Sequence, residues 1–146
     1  MEMFSLIGSI GEDMKVDLSL GEVIDKISIL QIKSERIIDP NKLRNIRKEM
    51  DILRNTWKQT ELPVIEKLPE WQELLDVNKR LWTVEDDLRE LENKQDFGAD
   101  FIAKARSVYF LNDNRARLKK SISISLGSAL IEEKSYKQYE VRYPAD

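Results

Sequence analysis

The chain has 146 residues and contains neither cysteine nor histidine. Without cysteine there can be no disulfide, no thiolate nucleophile and no zinc–sulfur site. Without histidine the commonest general base and the commonest metal ligand are missing, so no Ser-His or Cys-His triad can form. Any chemistry falls to carboxylates, Lys, Tyr, Arg or a hard cation held through oxygen. Glycine (5) and proline (4) are scarce, which argues against a sheet-rich fold built on many tight turns. No segment has the length of a membrane span. Met1 to Ile10 is mildly apolar but lacks a basic leader, so it reads poorly as a signal peptide and the expected location is cytoplasmic.

Hydrophobic residues make up 41% of the chain and charged residues 35%. The second figure exceeds the usual quarter, as in a small helical bundle with charged outer faces. Net charge is −3 and the pI about 5.2. Nothing global attracts nucleic acid or an anionic membrane, so neither is an expected partner.

Residues 1–18 read as a loose N-terminal segment. Ser19-Leu20-Gly21-Glu22 has the form of a capping box, and Leu20, Val23, Ile24, Ile27 and Leu30 follow on one side of a helix. Asp39-Pro40 stops that helix and starts the next, with Asp as cap and Pro at the first helical position. Leu43, Ile46, Met50, Leu53 and Trp57 then repeat at 3-4-3-4 spacing. Pro63 and Pro69 mark a connection. A third helix is expected from Pro69 to Lys94, a break at Phe97-Gly98, and a fourth helix from Asp100 to Leu126 stopped by Gly127. The fold expected is all-α: two antiparallel helical hairpins forming a four-helix up-down bundle over residues 19–126. A short C-terminal helical appendage and tail is expected over 127–146.

Two helices carry polar residues within their apolar stripes. The third reads Trp71, Leu74, Asn78, Leu81, Glu85, Leu88, and the fourth Phe101, Ala105, Val108, Asn112, Arg115, Lys119, Ile122. Residues so spaced share a face that normally enters the core, where unpaired polar groups are costly. Folding the two helices back about Phe97 pairs positions summing to roughly 194 to 196, since both rise equally per residue. Asn78 then falls beside Arg115, and Glu85 beside Tyr109 and Asn112. One reading is a satisfied polar layer that fixes helix register. The other is a pocket for an anionic metabolite, with Arg115, Asn78, Tyr109 and Asn112 binding and Glu85 as catalytic acid or base.

The acidic run Val84 to Glu92 lacks the paired motifs with which helical nucleotide pyrophosphohydrolases hold magnesium, so a solvated face is expected, with no metal and no cofactor. Residues 70–96 hold nine acids against four bases, whereas residues 100–126 hold six bases against two acids. Such helices suit each other as a hairpin. The second-helix stripe, flanked by Arg44, Arg47, Lys48 and Arg54, makes Met50, Leu53 and Trp57 candidates for an oligomer contact.

Four stretches, SLGEVIDKISILQIKSERI (19–37), VNKRLWTVEDDLRE (77–90), NDNRARLKKSI (112–122) and GSALIEEKSY (127–136), together resemble a small family of unknown function from bacterial and viral genomes. The resemblance covers roughly residues 16 to 139 and implies a helical fold. Its motif positions are Gly21-Glu22, Asp25-Lys26, Glu85-Asp86, Asn112-Asp113, Arg115 and Glu132-Glu133-Lys134. The function expected is a non-catalytic protein–protein interaction or assembly module, as a homodimer, and the competing reading is the anion pocket.

Overall fold

A computed structural model describes residues 13–140. Expectations for residues 1–12, and for the tail beyond residue 140, lie outside the described residues. Four helices follow in order: α1 (Leu20–Arg36), α2 (Pro40–Lys58), α3 (Trp71–Asn93) and α4 (Ala99–Ser125), with one 3-10 turn at Ile65–Lys67 before α3. The fold is all-α, a four-helix bundle, and no strand occurs among the described residues.

The local signals act as their chemistry requires. Ser19 Oγ accepts from the Glu22 amide at the start of α1, and Asp39 Oδ1 accepts from the amides of Asn41 and Lys42 at the start of α2. Gly127 ends α4 with φ +72°. Its amide donates to the Ile124 carbonyl and that of Ser128 to the Ser123 carbonyl, a Schellman closure. The same closure ends α3, where Gln95 takes the left-handed conformation (φ 53°) and Asp96 N–H reaches the Leu91 carbonyl. The break therefore comes at Gln95, two residues earlier than Phe97-Gly98.

α1 packs against all three other helices. It runs parallel to α3, with Asp25 and Ser28 at Asn78 and Arg36 at Trp82. It runs antiparallel to α4, with Gly21 at Ser123 and Asp25 at Arg115. α2 lies along α1 and buries only Ile46 and Trp57. The core joins Ile24, Ile27 and Ile32 of α1 to Leu74, Leu75 and Val77 of α3 and Leu118 and Ile122 of α4. Beyond the end of α1, the α3–α4 hairpin continues alone, and no residue from Trp82 to Phe110 is fully buried.

Two expectations are corrected. The α3–α4 register pairs Glu70 with Ser121, Glu73 with Arg117 and Asp87 with Lys104. Those numbers sum to 190 or 191, about one helical turn from the simple fold-back, because the early Schellman stop shortens α3. The C-terminal appendage is not helical through residue 140. It is an extended strap lying back along α4, with Glu132 on Lys119, Glu133 on Lys120 and Tyr139 on Asp113.

Candidate functional site

The corrected register brings residues from three helices to one buried point. Asp25 of α1 is fully buried. Its Oδ1 accepts from Arg115 Nε (2.9 Å) and Asn78 Nδ2 (2.9 Å), and its Oδ2 from Arg115 Nη2 (2.6 Å). Asn78 Nδ2 also donates to Ser28 Oγ at 2.8 Å, and Ser28 Oγ donates to the Asp25 carbonyl at 2.7 Å. Both lone-pair edges of the carboxylate are thus occupied, the condition under which a buried charge is tolerated. The hydrogen bonds it donates to Asp25 push the Arg115 guanidinium above its ordinary range, against the opposing pull of burial. The side chain remains 27% exposed. Asp25 engages only Nε and Nη2, and Nη1 makes no hydrogen bond among the described residues.

One turn further along α4, Lys119 sits between Glu22 Oε2 (2.5 Å) and Glu132 Oε2 (3.1 Å), with only 12% of its side chain exposed. Burial pulls its pKa down, but the two carboxylate hydrogen bonds outweigh it and the net shift is upward. Glu22 is thereby drawn away from the capping-box role. Beside it Gly21 meets α4 so closely that a Cβ would lie 2.0 Å from the Lys119 carbonyl oxygen. Its amide donates to Ser123 Oγ, and the Leu20 amide to Ser128 Oγ. Hydroxyls thus satisfy the first three amides of α1, and its N-terminus is closed to an anion.

The expected site residues are distributed as follows. Asn78 and Arg115 point inward and meet, through Asp25 rather than directly. Glu85 does not join them. It pairs with Arg89 on its own helix at 2.7 Å, in solvent. Tyr109 and Asn112 are exposed, and the expected Glu85–Tyr109–Asn112 contact is not formed. Asn78, Glu85, Asn112 and Arg115 nevertheless line one shallow groove of about 370 Å³ with Ile29, Ile32, Leu81, Trp82 and Asp86. Tyr109 belongs to a larger groove of about 1080 Å³ under the C-terminal strap, which Arg115 and Lys119 also line. Trp57 is buried within the chain, its Nε1 donating to the Pro63 carbonyl at 2.9 Å, while Met50 and Leu53 are half-buried beside α1.

Asp25, the hub of the network, escaped the stripe reading. The signal was present: Gly21, Asp25, Ser28 and Ile32 recur at 4-3-4 spacing and all four are buried. The family resemblance did mark Asp25, Arg115 and Glu132.

A four-helix bundle clamped by a buried ion pair is the class of protein this geometry defines. The chain belongs to a family of unknown function, DUF6165, which matches residues 14–144 and so takes in the bundle and the described strap. No match is found among curated proteins or among solved structures. Among the described residues no helix is long and apolar enough to cross a membrane.

Proposed function

We propose that the chain is a non-catalytic helical interaction module that self-associates through the outer half of the α3–α4 hairpin. The observation that carries this reading is the absence of any fully buried residue from Trp82 to Phe110. That stretch holds Val84, Leu88, Leu91, Phe101 and Val108 at bundle spacing, with Phe97, Ile102 and Tyr109 open to solvent. Two helices alone cover each other on one side only, and a third or fourth normally completes the core. The arm begins where Arg36 stacks over Trp82. It continues for eleven residues of α3, about 16 Å.

Charge selects a second copy as the occupant. Residues 82–98 carry six acids (Glu85, Asp86, Asp87, Glu90, Glu92, Asp96) and two bases, a net −4. Residues 40–48, the start of α2, carry Lys42, Arg44, Arg47 and Lys48 with no acid, a net +4. The α1–α2 turn lies at the same end of the bundle as the arm, and Ile38 within it is 91% exposed. Two arms side by side and antiparallel bring each acidic arm onto the partner's basic α2 start, an isologous pairing.

Sedimentation equilibrium tests this. A reversible dimer is expected, weakened about tenfold or more by Arg44→Glu with Arg47→Glu and restored when Asp86→Lys and Glu92→Lys are added. A monomer at every concentration, or a dimer indifferent to all four changes, would overturn the reading. The competing anion pocket between α3 and α4 is less well supported. Its one cation, Arg115, is neutralised by Asp25, and Glu85 and Asp86 give its lining an excess of negative charge.

A further inference from the structure

The strap is fixed at both ends. Near its start Ser128 Oγ accepts from the Leu20 amide and donates to the Leu130 carbonyl, and Glu132 and Glu133 pair with Lys119 and Lys120. Near its end Tyr139 OH donates to Asp113, and its ring packs on Tyr109 and Phe110 with centroids 5.3 and 5.5 Å away. Residues 134–138 bridge these pins over a groove of about 1080 Å³ floored by α4. Small-molecule sites run from about 300 to 1,000 Å³, so this open groove is far larger than a packing gap.

We propose that this groove binds a small aromatic acid: a flat ring bearing one carboxylate or phosphate. The ring requirement comes from one end, where Tyr109, Phe110 and Tyr139 form a mutually edge-on or tilted cluster that offers both ring faces and ring edges. The acid requirement comes from the other. Arg115 and Lys119 lie one helical turn apart on the floor, and Lys137 on the strap makes no ion pair among the described residues. Asp25 clamps Arg115 by its Nε–Nη2 edge, which fixes the guanidinium and leaves Nη1 for a ligand oxygen. The charge count sets the ligand's charge as well. Five cations (Arg106, Arg115, Lys119, Lys134, Lys137) line the groove against four acids (Glu22, Asp113, Glu132, Glu140), and Asp25 behind Arg115 brings the balance to zero. That balance leaves Arg115 Nη1 and Lys137 for one acidic group and disfavours a polyanion such as a nucleic acid.

The groove meets the arm at residues 105–110 but not at its acidic tip or the basic start of α2, and the titration reads ligand binding rather than association, so the two proposals fail separately. The test is titration of the 15N-labelled full chain, followed by NMR, with benzoate, 2-naphthoate and phenyl phosphate, and with neutral 2-naphthamide as control. Saturable shifts confined to residues 105–119 and 132–140 are expected, with Kd below about 1 mM for at least one acid. That acid should bind about tenfold or more tighter than the amide. The carboxylate and phosphate arms show which acidic group the site prefers. Exposed Lys137 provides a variant that spares both the core and the pins of the strap. Lys137→Glu should weaken binding about tenfold with unchanged melting temperature, and Tyr109→Ala, which also removes a pin of the strap, should weaken it at least as much. No saturable binding by any of the three acids, equal affinity for the amide, shifts elsewhere, or variants that bind like wild type would each overturn the proposal.

Discussion

Asp25 and Glu85 are both helical carboxylates bonded to an arginine, and burial separates their roles. Asp25 has surrendered its hydration entirely and is repaid by three charge-assisted or amide hydrogen bonds. Asp25→Ala leaves Arg115 and Asn78 without their acceptor and should cost about 3–5 kcal/mol in denaturant unfolding. Glu85→Gln removes a solvent-exposed intrahelical pair and should change stability by less than about 0.5 kcal/mol. Equal losses at the two positions would contradict this division. The sequence marked Asn78 and Arg115 as inward correctly, but carried the α3 stripe on to Glu85. That face stops being a core face near Trp82, where α1 ends, and no periodicity within α3 records the length of another helix. A second residue-scale prediction concerns Tyr139. The hydrogen bond to Asp113, and then desolvation, push its phenol up from 10.0 to about 12. The bond's contribution is therefore complete below pH 10 and lost as pH rises through about 12. Absorbance titration should show one of the four tyrosines ionising late, and Asp113→Asn should return that step towards pH 10. At the acid end the strap depends on Glu132, held below its ordinary 4.5 by Lys134 and then Lys119. That contribution is present above pH 4.5 and lost as pH falls through the lower folded value.

Helix starts and stops were the most legible elements, because caps are local chemistry. Ser19 and Asp39 immediately precede the first residues of α1 and α2, and Gly127 follows the α4 C-cap, Leu126. The register of α3 on α4 was less legible, since it turned on Gln95 adopting a conformation usually left to glycine or asparagine. The strap was not legible at all. An extended segment held by side-chain pins has neither the period of a helix nor the alternation of a strand. At this scale Gly21 makes the sharpest test. On helix propensity alone Gly21→Ala should stabilise α1 by about 1 kcal/mol. The added Cβ would instead meet backbone of α4, at 2.0 Å from the Lys119 oxygen and 2.7 Å from its carbon. Backbone cannot rotate away, so the helices must separate, loosening Ser123, Lys119 and the Asp25–Arg115 pair behind them. A loss of at least about 3 kcal/mol in chemical denaturation is expected. A neutral or stabilised variant would mean that α1 and α4 do not approach this closely.

At the scale of the molecule, the bundle divides into two unequal parts. Around Asp25 three helices meet, α2 covers α1 from outside, and the core is complete; beyond Trp82 two helices continue with half-covered apolar faces. The acidic third helix and basic fourth helix do join across the hairpin, through Glu73–Arg117 and Asp87–Lys104. That leaves Asp86 and Glu92 of the arm without ion pairs among the described residues, and the basic start of α2 in the same condition. The second-helix stripe put forward as an oligomer contact ends in Trp57, which is spent inside the chain. Replacing it should unfold the α1–α2 side rather than release a partner. The interaction-module reading therefore rests on the arm. Its most direct test is hydrogen exchange of the arm amides, measured over a range of protein concentrations. Amides of residues 85–105 should gain protection as concentration rises through the dimer's dissociation constant, while those around Asp25 stay unchanged. Arm protection that does not depend on concentration would contradict self-association through this hairpin.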